Sequence, residues 1–146
     1  MTFNRRFAAG VMVTGLGGLA LSLFAQSSET FKARLSALPA DAKTRADLAG
    51  SGSASAVLKG TQLAITGSFD GLRAAATTAS LHSAVAAGVR GPAIAGLTIS
   101  KATSGTIAGS IELTPDQLTS LHKGGLYVQI YSEKAPDGVL WGWFLR

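Results

Sequence analysis

Cysteine is missing altogether, and histidine occurs only as His82 and His122. No disulfide, thiolate nucleophile, lipid-bearing cysteine anchor or thiolate metal site can be built from such a chain. A multi-histidine metal centre also lacks its ligands. Charge is sparse, with 13 Lys+Arg against 8 Asp+Glu. What is present suits one packed domain: 146 residues of which 47% are hydrophobic, enough to exclude wholesale disorder.

The formal charge of +5 and a pI near 10.0 invite a nucleic-acid or acidic-surface reading. That reading depends on where the charges sit. Arg5 and Arg6 precede an uncharged stretch from Phe7 to Ala25, the plan of a secretory signal peptide. Ala25-Gln26-Ser27 offers small residues for cleavage, so residues 1–27 are expected to be an export signal and 28–146 the mature domain. The competing expectation is a retained membrane anchor over 7–25. Its length reaches the lower limit for a span, and Gly10, Thr14 and Gly18 form a small-residue stripe. Four glycines in the stretch weaken it as a helix. Either way the rest of the chain is expected outside the cytoplasm, periplasmic or secreted. Without Arg5 and Arg6 the basic residues fall from 13 to 11 and the formal charge from +5 to +3. The remainder are scattered singly among acidic residues, with no stripe or recognition motif, so no nucleic-acid partner is expected.

From Thr30 onward, apolar and polar residues alternate with the period of strands. Phe31, Ala33 and Leu35 share one face, Ala54, Ala56 and Leu58 another, and Leu63, Ile65 and Phe69 a third. Gly60-Thr61 reads as a hairpin turn and Asp70-Gly71 as a second turn. The Ala- and Thr-rich run 73–81 reads as an irregular approach to a strand near 79–82, and 83–92 as a loop. Short strands are expected around Leu97–Ile99 and 107–113, and longer ones over 126–132 and 139–145. Ile65-Thr-Gly-Ser-Phe69 is echoed by Ile107-Ala-Gly-Ser-Ile111. One helix is expected near 115–123: Thr114 can cap it, Pro115 suits its first position and Asp116 its positive end. Short strands with one helix argue for an all-β antiparallel sandwich or barrel.

The order of landmarks resembles a CHRD domain, the module named after chordin. They are Phe31-x-Ala-x-Leu35, Gly71-Leu72, Ala79-Ser-Leu-His82 leading to Gly91-Pro92, and Leu113-Thr114 before the helix. Gly124, Tyr127-Val128-Gln-Ile130 and Pro136-Asp-Gly138 with Gly142 complete the set. The resemblance covers about residues 31–145 and implies a bacterial exported protein with a Greek-key β-sandwich like that of copper–zinc superoxide dismutase. It implies no established enzymatic activity. The chain departs from the family where polar groups are usual. Ser80-Leu81-His82 stands for His-x-His, Tyr131-Ser132 for His-Thr, and Val139 and Trp141 replace the Glu and Arg of the closing motif.

These departures shape the chemical expectations. A catalytic zinc takes three protein ligands, and only His82 remains of the family cluster, with His122 far from it in the pattern. No serine sits in a strand–turn–helix elbow, and no carboxylates are paired with a reason for split pKa values. Neither an enzyme nor a cofactor is therefore expected. The alternative is a metal-binding redox protein of dismutase-like fold. Of the 10 aromatic residues, Tyr127, Tyr131, Trp141, Trp143 and Phe144 fall in the last 20 positions. Strand parity turns Tyr127, Gln129 and Tyr131 to one face of their strand. With Leu140, Gly142 and Phe144 inward, it turns Val139, Trp141, Trp143 and Leu145 outward. Tyr127, Tyr131, Val139, Trp141 and Trp143 are the expected binding patch of an accessory or structural module, since aromatic residues anchor interfaces. Its partner would be a protein of the periplasm or cell envelope, or a second copy of the chain. A membrane enters only if residues 7–25 are kept.

Overall fold

The computed structural model describes residues 27–146, so the expected signal or anchor over 1–27 lies almost wholly outside the described residues. No helix among the described residues is long and apolar enough to cross a membrane. The described residues form eight antiparallel strands and one helix. The strands are β1 (Glu29–Ala37), β2 (Ser51–Lys59), β3 (Gln62–Asp70), β4 (Ala76–Ser83), β5 (Ala93–Ile99), β6 (Gly105–Glu112), β7 (Leu126–Ser132) and β8 (Leu140–Trp143); helix α1 (Pro115–His122) joins β6 to β7.

Hydrogen bonding links every strand in the closed order β1-β2-β3-β6-β5-β4-β7-β8. The all-β antiparallel expectation holds. Where two facing sheets were expected, the strands form one continuous barrel, because β1 pairs with β8 and closes the ring. Closure gives every strand a neighbour on both sides, with β5 and β6 meeting only at Thr98 with Ala108 and Ile99 with Ile107. Within the ring, β4, β5 and β6 run as a meander and β7 returns beside β4, a Greek-key path. The two echoed segments are direct neighbours: Ile65 faces Gly109 and Gly67 faces Ile107 across β3 and β6.

Alternation places the core. Phe31, Ala33 and Leu35 of β1, Ala54, Ala56 and Leu58 of β2, and Leu63, Ile65 and Phe69 of β3 point inward and are buried. Leu126, Val128 and Ile130 of β7 join them with Leu140 and Phe144. Alanines on β1 and β2 sit opposite one another, Ala33 with Ala54, leaving room for the larger chains of neighbouring strands. An eight-stranded barrel is just wide enough for side chains to fill, so this interior is a core. Gly60 opens the two-residue hairpin between β2 and β3 with φ 63°, a conformation that favours glycine.

Helix α1 starts as its sequence dictates. Thr114 Oγ1 accepts from Gln117 N (3.2 Å) and Gln117 Oε1 accepts from Thr114 N (3.0 Å), closing a capping box. Leu121 is buried in the core and Leu118 packs at its margin.

Three elements differ from the sequence reading. β4 begins at Ala76, because irregular pairing between Ala76 and Thr78 lets the Ala/Thr run join the ladder early. β5 extends back to Ala93. β8 ends at Trp143, after which Leu145 makes a single bridge to Lys32.

Candidate functional site

The outer face of β4, β7 and β8 carries a continuous ladder of rings. Tyr127 pairs with His82 across β4–β7 and with Trp143 across β7–β8. Register therefore places the three side chains in one row. The His82 and Tyr127 rings stack at 4.8 Å with 21° between planes, and Tyr127 lies 4.7 Å from Trp143. Trp141 and Trp143, two residues apart on β8, meet at 5.0 Å with planes 61° apart. The Arg90 guanidinium closes the row, 4.6 Å above the Trp141 ring. Such aromatic pairs and cation–π contacts stabilise the row beyond the area they bury.

Gly91 ties this ladder to the loop over residues 84–92. Its carbonyl accepts from His82 Nδ1 (2.9 Å) and from Tyr127 OH (3.0 Å), and its N–H donates to the same hydroxyl (3.0 Å). A carbonyl can only accept, so Nδ1 carries the imidazole proton and Nε2 is left to accept. Two hydroxyls converge on that nitrogen, Ser80 Oγ at 2.8 Å and Tyr131 OH at 3.2 Å. His82 and Ser80 share one face of β4 because they are two residues apart. The imidazole is thereby held at both nitrogens and 8% exposed.

These contacts place the expected patch residue by residue. Trp141 and Trp143 lie side by side and partly exposed, and Tyr127 packs against both. Tyr127 is on the outer face but only 1% exposed, since the Gly91 loop covers it. Tyr131 is half-buried and reaches the group through His82. Val139 is not part of the patch and corrects the parity reading: it precedes the first residue of β8 and is fully buried in the core cluster. Strand alternation does not govern it there, because its backbone is still leaving the loop and bonding both Ile130 and Leu38. Gln129, outward by parity, is buried with its amide donating to Asp137 O at 3.0 Å.

Beside the ladder, between β1 and the 84–92 loop, runs an open groove of about 510 Å³. Trp141, Gly142 and Trp143 form its floor, Lys32, Arg34 and Ser36 one wall, and Ala87 and Gly88 the other, with Leu145 at the end. The loop wall and the basic wall were not part of the expected patch. Alternation does place Lys32 and Arg34 on the outer face of β1, but it does not show that β1 neighbours β8. The Trp143 Nε1 proton is the buried side-chain donor among the described residues that has no partner.

A second polar cluster lies near the chain end. Glu29 accepts from His122 Nε2 (3.2 Å to Oε2) and from the Arg146 guanidinium, joining β1 to the end of α1 and to the C-terminus. Desolvation pulls the Glu29 pKa upward. The His122 hydrogen bond and the charge of Arg146 outweigh it, and the net displacement is downward. A carboxylate whose pKa is depressed by folding adds stability above its unfolded pKa, and this is lost as pH falls through the folded value. Thermal denaturation of the native chain should thus lose stability as pH falls through and below the ordinary glutamate range, and Glu29→Gln should flatten that part of the profile. An unchanged profile in the variant would contradict this role for the cluster.

No three His, Cys, Asp or Glu side chains gather as a metal site among the described residues. Both nitrogens of His82 are engaged by protein groups, and its neighbours Ser80, Tyr131 and Tyr127 are hydroxyl donors. This donor set does not fit a zinc or copper centre.

Fold and ladder together define a closed antiparallel Greek-key barrel in which His82, Ser80, Tyr127 and Tyr131 on the outer face are tied into structural hydrogen bonds. The CHRD domain model matches residues 31–142, and the chain belongs to the CHRD family. Neither the curated proteins nor the solved structures give a match to the chain.

Proposed function

We propose that this protein is an exported, non-catalytic CHRD module that acts as an accessory or structural subunit of the cell envelope and docks a protein partner in the groove floored by Trp141 and Trp143. The supporting observation is the pair of adjoining, partly exposed tryptophans in an open depression. Tryptophan is enriched among residues that dominate binding energy, and it is costly to leave wet. The site is also held from beneath: Tyr127 is bonded to Gly91 and packed at a tilt against Trp143, so little ordering remains to be done on binding. Tyr127 and Tyr131 support the surface without lining the groove. The family's fold, which resembles the dismutase barrel, supplies the scaffold and carries no chemistry of its own into this reading.

Trp141→Ser with Trp143→Ser is the direct test. Co-purification of the partner from native envelope extract should fall by about tenfold or more, the loss expected for central interface anchors. The variant's thermal transition must show that the barrel is still folded. Full retention of the partner by a folded double variant would overturn the reading.

A further inference from the structure

We infer that the groove receives an extended acidic segment of the partner, seated by an aromatic or aliphatic anchor residue; this rests on the reading of the groove as a protein-docking site. The charged side chains lining it are Lys32 and Arg34. Both are exposed on the outer face of β1, and neither forms a salt bridge among the described residues. The register that sets Ser36 opposite Trp141 and Lys32 opposite Leu145 brings Arg34 opposite Trp143. A cation thus stands beside the groove's aromatic floor. Arg90 adds another cation against the Trp141 ring.

Exposed apolar surface lies in and next to the groove. Among the described residues the exposed large hydrophobics are Val85 (75%), Val89 (42%) and Leu145 (50%). Leu145 lines the groove, and Val85 and Val89 flank its lining residues Ala87 and Gly88 in sequence. An occupant must therefore offer both negative charge and an apolar group. At the groove itself β1 and β8 are already joined on either side, so side chains rather than strand addition must carry recognition there. With their planes 61° apart, the two indoles give no single flat platform for a planar ring, and their angle suits a side chain seated against both. The tryptophans lie in a depression rather than on a protruding tip, which favours a peptide segment over a lipid surface.

The test is selection of a displayed random-peptide library on the full chain. Peptides that bind should be enriched in Asp and Glu around Leu, Phe or Trp. Their affinity should fall about tenfold on Lys32→Glu with Arg34→Glu and weaken as salt is raised, because complementary charge steers encounter and selects partners. Both substitutions are on exposed side chains, and an unchanged thermal transition confirms folding. Peptides without acidic enrichment, or binding lost on Trp141→Ser with Trp143→Ser but unaffected by charge reversal, would overturn the acidic specificity while leaving docking intact. Binding insensitive to both pairs of substitutions would remove both readings. Sedimentation with phosphatidylglycerol vesicles in place of peptide selection would assign the groove to a lipid surface and overturn the inference.

Discussion

Replacing Gly142 with valine should unfold the domain under conditions where the native chain is stable. A Cβ at this position would lie 2.3 Å from the carbonyl oxygen of Arg34 and 2.9 Å from Leu35 Cδ2. The first of these is backbone and cannot swing aside, so β1 and β8 must part. That seam is thinly bonded: Ser36 with Trp141, Ala37 with Leu140, and the lone bridge from Lys32 to Leu145. Forcing extra atoms into packed space costs ~1–3 kcal/mol, and more where backbone must move. Parting the seam would also expose Phe31, Leu35, Leu140 and Phe144, each at most 1% exposed in the closed barrel. Against a total stability of ~5–15 kcal/mol for a domain, the combined loss is large. Circular dichroism melting should show a sharp drop in midpoint, with Gly142→Ala smaller but of the same sign. Hydrogen exchange should be raised first at β1 and β8 amides. A midpoint unchanged within error for the valine variant would mean that closure of the barrel does not depend on this contact.

Truncating Tyr127 to alanine should cost ~3–5 kcal/mol, the range for removing a large buried aromatic side chain. Its ring is packed between His82 and Trp143, and its hydroxyl makes two bonds to Gly91. Tyr127→Phe separates the two contributions. It keeps the ring but leaves the Gly91 N–H without an acceptor, for an expected cost of ~1–3 kcal/mol. Chemical denaturation of both variants, with hydrogen exchange read at Gly91, distinguishes them. Equal losses for Phe and Ala would assign the effect to the hydroxyl alone. A negligible loss for Ala would show that the ladder contributes little to folding.

Much of this arrangement is legible in the sequence, and the gaps have physical reasons. Period-two alternation locates β1, β2, β3 and β6 and their inward faces, because one face of each is buried. The Thr114–Gln117 cap and Pro115 locate α1. Alternation says which way a side chain points but not which strand lies beside it. Closure by β1 and β8 is thus invisible until the fold is known, and with it the meeting of Arg34 and Trp143. Parity finds Tyr127, Trp141 and Trp143 on outer faces. It cannot show that the loop carrying Gly91 folds down over Tyr127, since that rests on contacts 36 residues apart in sequence. Val139 fails for the opposite reason: it lies just before the strand whose alternation was used to orient it. The spacing of Ser80 and His82 puts them on one face, yet Tyr131 and Gly91 complete the imidazole's partners only through the β4–β7 pairing and the loop.

The chain's two tryptophans are both in the groove floor, which makes them a built-in probe of the docking surface. Fluorine NMR of fluorotryptophan-labelled protein, recorded before and after addition of the purified partner, reads the two sites without interference from the partner's own aromatic residues. Docking in the groove predicts that both resonances shift and broaden on complex formation, and that the shifts are lost after charge reversal at Lys32 and Arg34. A complex that forms with both resonances unmoved would place the partner elsewhere on the barrel and contradict the account.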